Sequence, residues 1–152
     1  MKTSYYLRNN PVLVMGVIET ALQDRGSADV GRLAALLPLL LDEKTVDTLL
    51  DSRLQYSFRQ LVQQNNMYLA NYNDRYLSLL HPLYHALTIM MDADVVRMNG
   101  SRIEASTREC IGLASASDSN RMKRVSKATT RLFQLAERES NKELYQLLKV
   151  AL

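Results

Sequence analysis

One segment near the N-terminus constrains this chain more than any other: a helix start followed by a helix that is apolar over more than half its surface. Asn10 is a good cap, because its side-chain oxygen can accept a free amide from the first turn. Pro11 follows where a missing N–H costs nothing. Val12, Leu13, Val14, Val17, Ile18, Ala21 and Leu22 then cover most of the cylinder. A helix of that kind must be buried on several sides, so the rest of the chain has to wrap around it. Arg25-Gly26-Ser27 ends it in a loop.

What wraps it is predicted to be mostly helix as well. Only 5 glycines and 3 prolines interrupt 152 residues. The chain is 47% hydrophobic and 23% charged, which is globular rather than disordered composition. At this length about two thirds of the unfolded surface can be buried, so the core needs no staple. The single cysteine, Cys110, excludes an internal disulfide and a cysteine-rich zinc site, and fits a reducing compartment. Residues 1–10 are polar and aromatic and do not read as a signal peptide. The longest apolar run, residues 33–41, is interrupted by Pro38 and is about half of what a membrane span needs. The expectation is one soluble, cytoplasmic domain over 1–152, with a possible subdivision near 65–73 and no membrane contact. The net charge of +3 permits nucleic-acid contact without arguing for it.

Along the chain, a second helix opens near Ser27 or Asp29, runs through Leu33, Leu36 and Leu37, and is bent or broken by Pro38. Asp42 begins a short helix carrying Val46, Leu49 and Leu50. Ser52 caps the next, with Leu54, Phe58, Leu61 and Val62 inward. Residues 65–73 read either as a loop or as more of that helix. A helix from about Asn73 meets Pro82, where a break or kink is expected, and continues to Met91. Two short β-capable runs around Asn99-Gly100 then predict a hairpin over about 95–104. An isolated hairpin is marginal in water, so it must lie on the helices like the wing of a winged helix-turn-helix. Residues 107–113 read as a short helix. Ser117 or Asp118 caps a long one over about 119–139, with Met122, Val125, Thr129, Leu132, Phe133 and Ala136 as its apolar stripe. Asn141 caps a last helix with Leu144, Leu147 and Leu148 inward. The predicted class is mainly α: a compact multi-helix domain with one small, winged-helix-like β-hairpin between helices.

No constellation in the chain supports catalysis. His81 and His85 are four apart, which puts two imidazoles on one helical face, but Pro82 disturbs the geometry and zinc needs at least three protein ligands. Cys110, between Glu109 and Ile111, reads as a small core residue rather than a nucleophile. Asp92 and Asp94 read as polar residues closing a helix, with no second acidic cluster to make them an acid–base pair or a metal site. There is no phosphate-cradling loop and no expected cofactor. What remains are contact surfaces. Arg121, Arg124, Lys127, Arg131 and Arg138 lie on the basic terminal helix, the last four at spacings of three, four and seven. That stripe suits a duplex backbone, an acidic protein or plain water. Tyr68, Tyr72, Tyr76 and Tyr84 line up if their region is one helix, giving either an interface edge or half-buried packing. Tyr68, Tyr72, Tyr76, Tyr145 and the apolar terminus at Leu152 are the candidate partner interface.

Several segments taken in order resemble a known family. Asn9-Asn10-Pro11-Val12-Leu13-Val14 resembles the N-terminal helix start of the middle components of three-component ABC-ATPase systems. Leu36-Leu37-Pro38-Leu39-Leu40-Leu41 resembles the leucine–proline–leucine stretch that follows in that family. The basic helix from Arg121 to Ala136, followed by Glu143-Leu144-Tyr145-Gln146-Leu147-Leu148-Lys149-Val150, resembles its C-terminal helix pair, with Lys149 where a glycine is common. The resemblance implies a small non-catalytic subunit beside an SMC-like ABC ATPase and an effector nuclease, in prokaryotic anti-phage or anti-plasmid systems such as the Lamassu type. It implies an adaptor bridging ATPase heads and effector, with indirect or backbone DNA contact as a further possibility. The competing reading from the residues is a free-standing winged-helix DNA-binding regulator. A small enzyme is the third, resting on two histidines and one cysteine.

Overall fold

The computed structural model of the chain describes residues 11–53, 57–64, 69–106 and 119–151. Seven helices and three short strands follow one another in these segments. They are α1 (Pro11–Arg25), β1 (Ser27–Asp29), α2 (Val30–Leu40), α3 (Glu43–Leu50), α4 (Phe58–Gln64), α5 (Tyr72–Asp92), β2 (Val96–Asn99), β3 (Arg102–Ala105), α6 (Asn120–Ala136) and α7 (Asn141–Leu147). The fold is mainly helical with a small antiparallel sheet, the class the sequence predicts.

α1 is the centre. Every residue from Leu13 through Leu22 is buried, and α5 and α6 pack against it. Its wide apolar surface, buried together with Glu19 and Thr20, lets one helix serve several neighbours at once. Each fully buried Leu, Ile or Val contributes about 1.5–3 kcal/mol relative to exposure. Gly16 lets α6 come close, since a methyl group there would overlap the Met122 thioether. α2 packs on α5, and α3 on α6, so the two leucine-rich middle helices close the other sides of the core.

Helix α2 is capped by Asp29, whose Oδ1 accepts the Arg32 amide at 2.9 Å. It runs through Pro38 and ends two residues later, at Leu40, so the predicted break at the proline does not occur. The predicted break at Pro82 does not occur either. α5 is one helix of 21 residues with Pro82 inside it and buried. One missing donor weighs less than the buried face on either side, formed by Tyr76, Leu79, Leu83, Ala86, Leu87 and Met90.

Caps move in three places. α6 is capped by Ser119, whose hydroxyl accepts the Met122 amide at 3.3 Å, rather than by Ser117 or Asp118. α4 opens at Phe58 rather than after Ser52: the Ser57 hydroxyl accepts the Gln60 amide at 3.2 Å, and the Ser57 amide donates to Gln60 Oε1 at 2.9 Å. In α7, Ser140 is the cap and forms a capping box with Glu143, so Asn141 is the first helical residue. The capping bonds to Ser140 hold the Glu143 carboxyl below its usual range. The long helix predicted over 119–139 stops at Ala136, and every residue of its predicted apolar stripe is buried.

The hairpin is present but is not alone. β1, predicted as the end of a loop and the start of the second helix, pairs with β3 to give the order β1-β3-β2. Ala28 faces Ile103 on one side of β3, and Met98 faces Ile103 on the other. The turn is Gly100-Ser101, one residue later than predicted. Gly100 has φ +63 and Ser101 does not share the positive φ, the pattern of a II′ turn. Both helix ends nearest the sheet use a left-handed residue, Gly26 after α1 and Asp94 after α5. At Asp94 the amide bonds the Met91 carbonyl and the Val95 amide bonds the Met90 carbonyl, a Schellman closure. That gives Asp94 a structural role in ending α5, and Asp92 is the last residue of the same helix.

The predicted cap at Asn10, the residues Leu54, Tyr68 and Leu152, the helix over 107–113 with Cys110, and the caps Ser117 and Asp118 all lie outside the described residues. Among the described residues, no helix is long and apolar enough to cross a membrane.

Candidate partner interface

The basic helix α6 turns its buried stripe to α1 and α3, which leaves its cations on the outer side and against α3. Arg121 lies 3.6 Å from Glu43 and Arg124 pairs with Asp47, so two of the five predicted contact residues already hold acids of α3. Between them runs a cleft of about 340 Å³ floored by Leu40, Leu41, Val46 and Val125. The acids of both pairs are largely exposed and Arg121 is half-buried; such surface pairs contribute about 0–1 kcal/mol and exchange readily for another partner. Arg131 is half-buried, whereas Lys127 is exposed. Arg138 lies beyond the last helical residue, so it is not part of the helical stripe as predicted. The cations are therefore divided among α3, the helix surface and the following turn, rather than forming one continuous row.

The tyrosines are placed differently from an exposed edge. Tyr72 is fully buried and its hydroxyl donates to the Ala35 carbonyl. Tyr76 is buried and meets Tyr145 edge to face, with ring centroids 5.9 Å apart. The Tyr145 hydroxyl donates to the Gly31 carbonyl at 2.9 Å. Burial, then the neighbouring Tyr76 hydroxyl, pushes the Tyr145 pKa well above the usual phenol value. Tyr72 ties α5 to α2, and Tyr76 and Tyr145 seat α7 on α5 and α2. Their amphipathic bodies fit such a position, with the ring in the core and the hydroxyl on a backbone oxygen.

Around Tyr145 the chain builds a polar clamp. The Arg32 guanidinium donates to the Ala136 carbonyl at 2.8 Å, the Glu139 carbonyl at 2.5 Å and Asn141 Oδ1 at 3.1 Å. It thereby satisfies the C-terminal end of α6, where carbonyls lack helical partners and the dipole favours a cation. Burial lowers the Arg32 pKa, offset in part by Asp29, and the group stays charged. Asn141 Nδ2 donates to Asp29 Oδ1 at 2.9 Å, and the Ser101 hydroxyl donates to Asp29 Oδ2 at 3.1 Å. Burial works to raise the Asp29 pKa, but the bonds from Arg32, Asn141 and Ser101 and the Arg102 charge outweigh it and hold the carboxyl below its usual value. Arg59 grips Glu139 in a bidentate pair at 3.0 and 3.1 Å, tying α4 to the same turn. The clamp fixes the C-terminal helix pair to the sheet and to α2.

The surface left over lies on α5. Leu77 is 52% exposed, Tyr84 55% and Met91 38%, and they recur every seven residues, on one face. No Asp, Glu, Lys or Arg occurs between Arg75 and Asp92. His81 and His85 also sit exposed on this helix, with ring centroids 6.2 Å apart. Among the described residues no group of three or more His, Cys, Asp or Glu is placed to hold a metal ion. An uncharged face with exposed apolar residues is a candidate for protein contact. The sequence reading missed it, although the seven-residue spacing and the charge gap were both visible signals.

A family model described as ABC-three component (ABC-3C) system Middle Component 3 matches residues 2–152 of the chain. No curated protein and no solved structure gives a significant match.

Proposed function

The chain belongs to the ABC-three component (ABC-3C) system Middle Component 3 family, and from that premise we propose that it is a non-catalytic adaptor between an SMC-like ABC ATPase and an effector nuclease. The setting is prokaryotic anti-phage or anti-plasmid defence of the Lamassu type. The observation that carries this reading is the family match along nearly the whole chain, from residue 2 to residue 152. That extent supports reading the chain as one accessory subunit.

Two features of the surface support an adaptor. The outer face of α5 offers Leu77, Tyr84 and Met91 to a neighbour without any competing charge. Arg121 and Arg124 are held by single exposed acids that an acidic partner surface would replace. We infer that the partner for this surface is an acidic protein face, with DNA reached through the ATPase.

Pairwise binding tests the bridging role. The tagged chain should retain the ATPase when the effector is left out, and the effector when the ATPase is left out. The effector should bind the ATPase only when the chain is present. Direct, undiminished binding of effector to ATPase without the chain would remove the bridge.

A further inference from the structure

Among the described residues, the small sheet has an open edge. β3 sits between β1 and β2, so β2 has a neighbour on one side only. The ladder fixes which backbone groups face outward. The Ser106 amide bonds the Val95 carbonyl at 2.9 Å, which makes that pair a hydrogen-bonded one. Pairs alternate in an antiparallel ladder, so Arg97 with Glu104 and Asn99 with Arg102 are hydrogen-bonded, while Val96 with Ala105 and Met98 with Ile103 are not. The N–H and C=O groups of Val96 and Met98 therefore point away from β3. Among the described residues no strand takes them up.

Two residues with outward donors and acceptors at this spacing are matched only by another extended backbone. The side chains narrow the choice. Arg97 stands on the solvent face, 68% exposed, with its guanidinium 3.4 Å from Glu104. Met98 projects to the other face and is 46% exposed. If a second copy paired its β2 antiparallel through the same outward groups, Val96 would meet Met98 of the copy and Arg97 would face Arg97. Like charges directly opposite each other destabilise a pair of strands. An acidic residue at that place would instead extend the Arg97–Glu104 pair into a row.

We propose that the edge of β2 accepts an extended strand of another subunit of the complex, one that sets an Asp or Glu opposite Arg97 between apolar residues. The inference rests on the adaptor reading, because it needs a partner subunit. Arg97 acts as a selector: it turns away a second copy and welcomes an acidic strand. Met98 supplies apolar contact on the opposite face.

The test is residue-resolved hydrogen exchange on the chain alone and on the chain co-purified with the ATPase and the third component. The Met98 amide should slow at least about tenfold in the complex, one full hydrogen bond gained. The Arg97 and Asn99 amides, already bonded to β3, should change little. Met98→Pro removes an outward donor and the thioether contact but no bond to β3, and should weaken assembly about tenfold while the free chain stays folded. Arg97→Glu, which leaves the backbone untouched, should weaken it similarly. If the complex forms and Met98 exchanges as fast as in the free chain, the edge is not used, and the adaptor reading survives. If the free chain dimerises with Met98 protected, the occupant is a second copy and the proposal is overturned. If no complex forms, both readings fall.

Discussion

Asp29 shows how much rests on one side chain. It caps α2, holds α7 through Asn141 and holds the hairpin turn through Ser101. The sequence offered it as one of two possible caps, but its other partners are 72 and 112 residues away and leave no local signature. Losing the group altogether, in Asp29→Ala, should cost about 2–3 kcal/mol by urea denaturation, from a lost cap and lost hydrogen bonds of about 1 kcal/mol each. Its charge has a separate signature. The folded pKa lies below the ordinary value of 3.8, so the stability it supplies is complete above that value and disappears as pH falls through the lower folded one. Asp29→Asn should therefore be less stable than the native chain at pH 7, and the gap should narrow in melting curves recorded below about pH 3.8. Lys149 is the opposite case, an oddity legible in the sequence. It adopts φ +55 after α7, where its amide bonds the Gln146 carbonyl and the Val150 amide bonds the Tyr145 carbonyl. That is the Schellman position glycine prefers. Lys149→Gly should raise the unfolding free energy by about 1 kcal/mol. A drop would mean that the lysine side chain contributes more than its backbone strain removes.

Among the elements, helices were legible and their interruptions were not. The apolar stripe of α6 and the inward leucines of α3 follow from periodicity, which is a local property. Proline penalties are also local, but whether a helix survives one depends on what its two halves bury. For Pro82 the buried face of α5 decides, and no window of sequence around the proline contains that information. Pro82→Ala restores a donor worth up to about 3 kcal/mol in a helix and loses about 1 kcal/mol of ring burial. A net gain of about 1–2 kcal/mol is expected, a rise of several degrees in Tm for a chain of this size. A fall in Tm would show that the ring packs better than its lost hydrogen bond matters. β1 was missed for a related reason. Three residues, Ser27–Asp29, carry no alternation of their own, and they are a strand only because β3 arrives beside them.

For the whole molecule, a helix apolar over more than half its surface became the buried centre of the fold, with α5 and α6 laid against it. The expected contact surfaces fared differently. Tyr72 and Tyr76 had the spacing of an exposed edge, yet spacing cannot say which face of a helix turns inward, and these rings went to the core. The face that stayed outside is the one carrying Leu77, Tyr84 and Met91. A chain with this exposed face and a whole-length match to the middle-component family is understood as part of a larger assembly. The direct test is the mass, by light scattering after size exclusion, of the species that contains this chain when it is expressed with the ABC ATPase and third component of its system. A heavy species containing the chain and the ATPase together is expected. Elution of the chain by itself at its own 17.3 kDa, with the ATPase in a separate peak, would contradict it.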